Sequence, residues 1–253
     1  MAKESVLDVS GARPMAIRIG KRLRPWINDT LARHSKVSND PVLDPALFPW
    51  IEGLRAHWRE IRAESDRVLR HRDAVPPLDA ISPDHARIAD GGWQSFFLHG
   101  YGYRIAQNCA RAPATSTLAA AVPGLNSALF SILAPGCHIP RHKGVTKGIL
   151  TCHLGLTVPK DAARCRMRVG NETVSWREGE AIVFDDSQHH EVWNDTDETR
   201  VILLIQFARP MTFPGRLLSN LFLAGVRHTS FVQEARRNLG KWEEAYRRAE
   251  RGE

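Results

Sequence analysis

From residue 125 the chain reads as a series of short apolar runs: LNSALFSILA (125–134), GILTCHLGLTV (148–158), RCRMRV (164–169), ETVSW (172–176), EAIVF (180–184), HHEVW (189–193) and TRVILLIQFA (199–208). Turn-rich segments separate them, PGCHIP, PKDA, VGNE, REGE and NDTDE. Seven runs of strand length at this spacing, each bounded by Gly, Pro, Asn or Asp, point to an all-β sandwich or barrel. Two runs, GILTCHLGLTV and VILLIQFA, are almost continuously apolar, as strands covered on both faces are. The core therefore lies in 125–208.

Outward from that core the texture is helical. Residues 46–72 place Leu47, Trp50, Ile51, Leu54, Trp58 and Ile61 at three- and four-residue steps, which predicts one long helix. Pro76-Pro77 closes that region. ATSTLAAAVPG (114–124) predicts a further helix stopped at Pro123-Gly124. After the core, RLLSNLFLAG and FVQEARRNLGKWEEAYRR read as a closing helix pair. Four parts result: a basic arm (1–41), a helical layer packed on the core (42–124), the β core (125–208) and basic C-terminal helices (209–253).

The net charge of +7 is carried by the two ends. Residues 1–41 hold eight Lys/Arg against four Asp/Glu, and 209–253 hold nine against five, leaving the middle close to neutral. Two basic ends suit an anionic surface. The N-terminal end interleaves Arg18, Lys21, Arg22 and Arg24 with Ile17, Ile19, Leu23, Trp26 and Ile27. The C-terminal end sets Leu217, Leu218, Leu221, Phe222 and Leu223 between Arg216 and Arg227. Each pattern fits an amphipathic helix in a lipid interface and equally a helix covering the main domain. Nucleic-acid motifs are absent, so that partner is not expected.

Four cysteines without a C-x-x-C pair predict a reducing compartment, with Cys109 and Cys137 as buried structural thiols. The longest apolar stretch, LFLAGV at 221–226, falls short of the ~20 residues of a membrane span. The N-terminal residues lack the apolar core of a signal peptide. The expectation is a cytoplasmic protein, peripheral at the inner face of the membrane if the arms bind lipid.

Polar residues inside the apolar strands carry the chemistry, because burying one unpaired costs roughly 1–3 kcal/mol. They are Ser131, His153, His190 and Arg200, with His142 in the loop PRHKG. Strand periodicity puts Thr151, His153, Gly155 and Thr157 on one face, small and polar as a pocket lining would be. Three imidazoles and an arginine on neighbouring strands suggest a metal and an anion, since imidazole is a common ligand for iron and zinc.

At this point the sequence resembles the aspartyl/asparaginyl β-hydroxylase family of Fe(II)- and 2-oxoglutarate-dependent dioxygenases, which includes bacterial lipid acyl-chain hydroxylases. The resemblance runs through SILAPGCHIPRHKG, CHLGLTVPK, WREGEAIVFDDSQHHEVWNDTDETRVIL and ARPM. Upstream, VLDPALFPWIEGLRAHWREIRAES and WQSFFLHGYGYR resemble the lipid-hydroxylating branch. It implies a double-stranded β-helix (jelly roll), with His142 and His190 as iron ligands. Ser131 and Arg200 would hold the distal carboxylate of 2-oxoglutarate and His153 its metal-bound end, with O2 as the other co-substrate. Lys143 and Gly144 follow His142, so the H-x-D carboxylate of many oxygenases is missing. The resemblance implies water in its place. Asp186 then either orients that water or caps a turn. The family's arginine two residues before His153 is Thr151 here, with Lys143 or Lys147 as candidate substitutes. His138 and His189 fall outside the implied ligand set. The implied reaction is hydroxylation of an unactivated C–H bond, on an acyl chain of a membrane lipid or on Asp/Asn of a peptide, protein or small molecule. A non-enzymatic jelly-roll binding protein is the third reading.

Overall fold

A computed structural model describes residues 15–81 and 92–252. Three strands precede the predicted core: β1 (Val42–Leu43), β2 (Trp93–Gly100) and β3 (Tyr103–Arg104). Eight follow: β4 (Leu125–Leu133), β5 (His138–His142), β6 (Ile149–Thr157), β7 (Cys165–Val169), β8 (Glu172–Ser175), β9 (Ala181–Phe184), β10 (His190–Asn194) and β11 (Arg200–Ala208). They form a seven-stranded sheet, β1-β9-β6-β11-β4-β2-β3, and a four-stranded sheet, β5-β10-β7-β8. Antiparallel pairs nest from the outside inward: β4 with β11, β5 with β10, β6 with β9, β7 with β8. An eight-stranded ribbon rolled so that its pairs alternate between two sheets is a jelly roll. The expected fold is the observed one.

Alternation along the strands divides the packing. On β6, Leu150, Cys152, Leu154 and Leu156 point into the core shared with the helices, as do Val201, Leu203, Ile205 and Phe207 of β11. A second core between the sheets holds Leu133, Ile139, Met167, Trp176, Phe184 and Ile202. The opposite faces of β6 and β11 carry Thr151 and His153, and Arg200 and Gln206, and all four line the barrel's cavity. One face of each strand makes the core and the other makes the site.

The helical layer differs from the expectation in two ways. The helix read over 46–72 is broken into α2 (Ile51–Ala56) and α3 (Trp58–Leu69), with α1 (Met15–Arg33) lying before them. The break is at His57, whose Nδ1–H donates to the Gly53 carbonyl at 2.9 Å and so competes with the helix's own bonds. Second, 42–124 is not wholly helical. It lends three strands to the large sheet, β1 before α2, and β2 and β3 between α4 (Leu78–Ile81) and the pair α5 (Ala106–Arg111) and α6 (Pro113–Ala120). Buried Glu64 of α3 accepts from the backbone N–H groups of Ala114 and Thr115 at 3.0 and 2.8 Å, fixing the start of α6 on the layer.

The closing pair is α7 (Phe213–Arg227) and α8 (Ser230–Arg251). Helix α1 packs against α7. Arg24 donates to the Gly144 carbonyl, and Asn28 accepts from the Lys147 N–H at 2.9 Å. The basic arm thus has a helix seated on the core beside the loop that follows His142. Residues 1–14 and the side chains of Ile17, Arg18, Ile19, Lys21 and Arg22 lie outside the described residues. Among the described residues no helix is long and apolar enough to cross a membrane.

Candidate active site

His142 ends β5 and His190 begins β10, and the two are direct cross-strand partners. Their ring centroids are 4.1 Å apart. His142 is thus on a strand rather than in a loop. Each Nδ1 lies against a carbonyl, that of Pro140 at 2.7 Å and that of Gln188 at 3.0 Å. A carbonyl only accepts, so each Nδ1 carries the hydrogen and each Nε2 keeps its lone pair. Burial lowers both imidazoles' pKa, that of His190 to about 4 with the His142 charge adding to it. Two neutral rings with oriented, unprotonated Nε2 atoms are what a divalent metal requires.

No group of three or more His, Cys, Asp or Glu side chains gathers as a metal site among the described residues. The space beside Gly144 is filled from elsewhere. A Cβ at Gly144 would lie 2.5 Å from Oδ1 of Asp186. Asp186 Oδ2 accepts from Thr151 Oγ1 and Gln206 Nε2, each at 3.2 Å. Its pKa is pushed up to about 7, by burial first and then by the neighbouring Asp185. Turn capping falls to Asp185, which accepts from the Ser187 N–H at 3.1 Å and its hydroxyl at 2.6 Å. Asp186 faces the cavity.

A second set of groups has the chemistry of an anion receptor. Arg200 is 1% exposed and stacks over the Trp176 ring at 4.7 Å. Burial pulls its pKa down to about 10, which leaves it charged at neutral pH. Its Nε has no hydrogen-bond partner, and no carboxylate pairs with it, among the described residues. A buried cation without an anion costs several kcal/mol. Ser131 Oγ accepts from Arg200 Nη2 at 3.2 Å and from Trp93 Nε1 at 3.0 Å, which leaves its O–H to donate to a ligand. Trp176 Nε1 donates to His153 Nδ1 at 3.3 Å, so the hydrogen of this neutral ring sits on Nε2. That Nε2 is buried and unpartnered among the described residues. Burial, then the Arg200 charge, holds His153 well below its usual pKa.

These groups open on one cavity of about 270 Å³, lined by Ser131, His142, His153, Asp186, His190 and Arg200 together. All six residues singled out in the sequence meet there. Residues 55–210, over half the chain, match the family model described as Aspartyl/Asparaginyl beta-hydroxylase. The chain belongs to that family.

Two relatives of this aspartyl/asparaginyl β-hydroxylase family member bracket it. An ornithine lipid ester-linked acyl 2-hydroxylase from Rhizobium tropici is 36% identical over 251 residues, 97% of this chain and 89% of that protein. The human aspartyl/asparaginyl beta-hydroxylase is 34% identical over 169 residues, 65% of this chain and 22% of that protein. Both are hydroxylases, and the chain is an enzyme of that class. Among solved structures, KdgF from Halomonas sp. overlays 47% of this chain and 81% of that one at 12% identity, with a TM-score of 0.31.

Several readings of the sequence are corrected within this family site. Lys147 is no substitute for the missing arginine: it pairs with buried Asp185, which Arg209 also holds at 2.6 Å. Lys143 does line the cavity. Cys109 is buried, but Cys137 is partly exposed. His138 pairs with Glu191 at 2.9 Å and stacks on Trp193, away from the cavity. The stripe Leu217, Leu218, Leu221, Phe222 and Leu223 is not one lipid-facing surface. Leu217 and Leu221 are exposed, whereas Leu223 lines the cavity. The sequence reading missed Trp93, Trp176, Gln206 and Arg227. For Trp176 the strand pattern held a signal, a large indole with a polar N–H at the end of a short strand. Arg227 had none, since a helix-end arginine ordinarily faces solvent.

Proposed function

We propose that the protein is an Fe(II)- and 2-oxoglutarate-dependent dioxygenase that hydroxylates an unactivated C–H bond on an acyl chain of a membrane lipid. One observation carries the reaction class. A neutral, Nδ1-pinned histidine pair shares a single cavity with a buried arginine that has no carboxylate partner among the described residues and with the free donors of Ser131 and His153. The donor set fits both groups: two imidazole Nε2 atoms for Fe(II), and a guanidinium, a hydroxyl and an N–H for a dicarboxylate. Once bound, iron with 2-oxoglutarate and O2 supplies the oxidation of the C–H bond, and the keto acid leaves as succinate and CO2.

The chain's own residues have defined tasks in this reading. His142 and His190 hold the metal and, with only two protein ligands, leave positions for the keto acid and O2. Arg200 and Ser131 clamp the distal carboxylate by charge-assisted hydrogen bonds, about twice as strong as neutral ones. His153 would hold the keto-acid end through its free Nε2–H. Asp186, held by Thr151 and Gln206, orients a water beside Gly144 where another oxygenase would place a carboxylate. Trp93 and Trp176 wall the site against bulk water.

The lipid substrate is supported from outside the iron site. The relative named an ornithine lipid acyl hydroxylase aligns over the terminal helices as well as the core. Large apolar side chains are exposed on three adjoining elements: Leu23 and Trp26 of α1, Val145 beside the site, and Phe213, Leu217 and Leu221 of α7. A cluster of this kind next to a cavity mouth marks an interaction surface. That surface and the basic ends support our reading of peripheral attachment to the cytoplasmic face of an anionic membrane. Hydroxylation of Asp or Asn in a peptide is the second reading, favoured by the human relative. The test is mass spectrometry of lipid extracts from cells with and without the gene. A lipid gaining one oxygen atom on an acyl chain is expected; identical lipid profiles, with a hydroxylated Asp or Asn found instead, would overturn the substrate.

A further inference from the structure

Two arginines line the cavity among the described residues, and Arg200 accounts for one anion. The other, Arg227, ends α7. Its Nε is buried without a hydrogen-bond partner, and its guanidinium makes no ion pair among the described residues. Lys or Arg in the last turn of a helix ordinarily faces outward, stabilised by the helix dipole by about 0.3–1 kcal/mol. This one turns inward and lies flat on a turn built to receive it. A Cβ at Gly102 would come within 2.6 Å of Nη2 and 2.7 Å of Cζ. Gly102 has φ +81, and Tyr101 before it holds φ +53, a conformation non-glycine residues rarely adopt. The Gly102 N–H donates to the Asn126 carbonyl at 2.6 Å and locks the turn in place. The carboxylate nearest in kind, Asp186, is already held by Thr151 and Gln206.

We propose that Arg227 is the receptor for a carboxylate on the headgroup of the acceptor lipid. This rests on the lipid reading above and adds the headgroup chemistry. A guanidinium fork matches a carboxylate in a bidentate pair. Leu223 stands four residues before it, on the same face of the helix, and both Leu223 and the adjoining Val226 line the cavity. A headgroup carboxylate on Arg227 would put an attached acyl chain in the cavity that Leu223, Val226, His142 and His190 share. Helix α7 begins after residue 210, where the family match ends, so this contact belongs to what distinguishes the chain from the family core.

The experiment is calorimetric binding to the protein loaded with Fe(II) and 2-oxoglutarate in the absence of O2. The probes are an N-acyl amino acid, its methyl ester, and a phosphate-headgroup lipid with the same acyl chain. Wild type is expected to prefer the free acid over the ester by roughly tenfold or more, the effect of one charge-assisted pair. Arg227→Gln should bind acid and ester alike, and Arg227→Lys should keep part of the preference. Both variants should still bind Fe(II) and 2-oxoglutarate in separate titrations. No preference in wild type, a preference retained by Arg227→Gln, tighter binding of the phosphate lipid, or loss of 2-oxoglutarate binding in both variants would each overturn the assignment. A carboxylate preference without hydroxylation of any lipid under O2 would sink the enzymatic reading and leave Arg227 as an anion receptor.

Discussion

The indole of Trp176 donates its only N–H to Nδ1 of His153, both rings being buried between the two sheets. That single bond fixes which imidazole nitrogen carries hydrogen, and it aims an N–H into the cavity. The same indole lies under the Arg200 guanidinium. One side chain therefore orients both an expected donor to the keto-acid head and the cation for its tail.

Trp176→Phe should keep the ring under Arg200 but free the His153 tautomer. The expected outcome is a rise of about tenfold in KM for 2-oxoglutarate, from loss of one buried hydrogen bond worth ~1–1.5 kcal/mol. Iron affinity should stay within a factor of two or three, measured by equilibrium metal titration. An unchanged KM would show that the His153 N–H does not touch the keto acid.

Arg200→Ala removes the buried cation itself. Steady-state assays should show a KM for 2-oxoglutarate raised ~100-fold, because a charge-assisted bidentate pair is lost. Metal binding should persist. Full turnover at ordinary 2-oxoglutarate concentrations would move the distal carboxylate elsewhere, with Lys143 the next cation on the cavity wall.

Gly144 and Asp186 occupy one another's space, so their substitutions should couple. Gly144→Ala places a methyl 2.5 Å from the Asp186 carboxylate and should reduce 2-oxoglutarate turnover severalfold. Asp186→Ala alone should also reduce it. The double variant should fall well short of the product of the two effects, since residues in contact are non-additive. Strict additivity would mean that the carboxylate does not stand beside Gly144 in solution.

Membrane attachment has its own signature. Leu217→Ser with Leu221→Ser should weaken co-sedimentation with anionic vesicles, each exposed leucine adding burial at about 25 cal/mol per Å². Attraction through the basic residues, about 1 kcal/mol each near the surface, should fade at high salt. Neither leucine lines the cavity, so uncoupled 2-oxoglutarate turnover should not change. Equal binding of wild type to anionic and neutral vesicles would contradict the surface.

Strand patterning made the β core readable because alternation along β6 and β11 separates helix-facing Leu150, Cys152 and Leu154 from cavity-facing Thr151 and His153. The strand β5 was hidden. HIPRH is short, carries Pro140 and two histidines, and has no apolar alternation beyond Ile139. β2 was hidden for another reason: WQSFFLHG is buried on both faces, Phe96 and Leu98 in one apolar cluster and Phe97 in another, so it lacks the period of a half-exposed strand. The polar residues of the site were legible because a charge or imidazole inside an apolar run demands a partner. Trp93 and Arg227 were not, since their roles depend on which distant segments the fold brings beside Ser131 and Gly102.

The central claim is that His142 and His190, and no other histidine, hold iron for 2-oxoglutarate turnover. The most direct measurement is succinate formed from 2-oxoglutarate with added Fe(II), alongside metal content, for His142→Ala, His190→Ala and His189→Ala. The account predicts that the first two lose both iron and succinate formation and that the third keeps most of each. Iron and succinate retained by His190→Ala but lost by His189→Ala would contradict it.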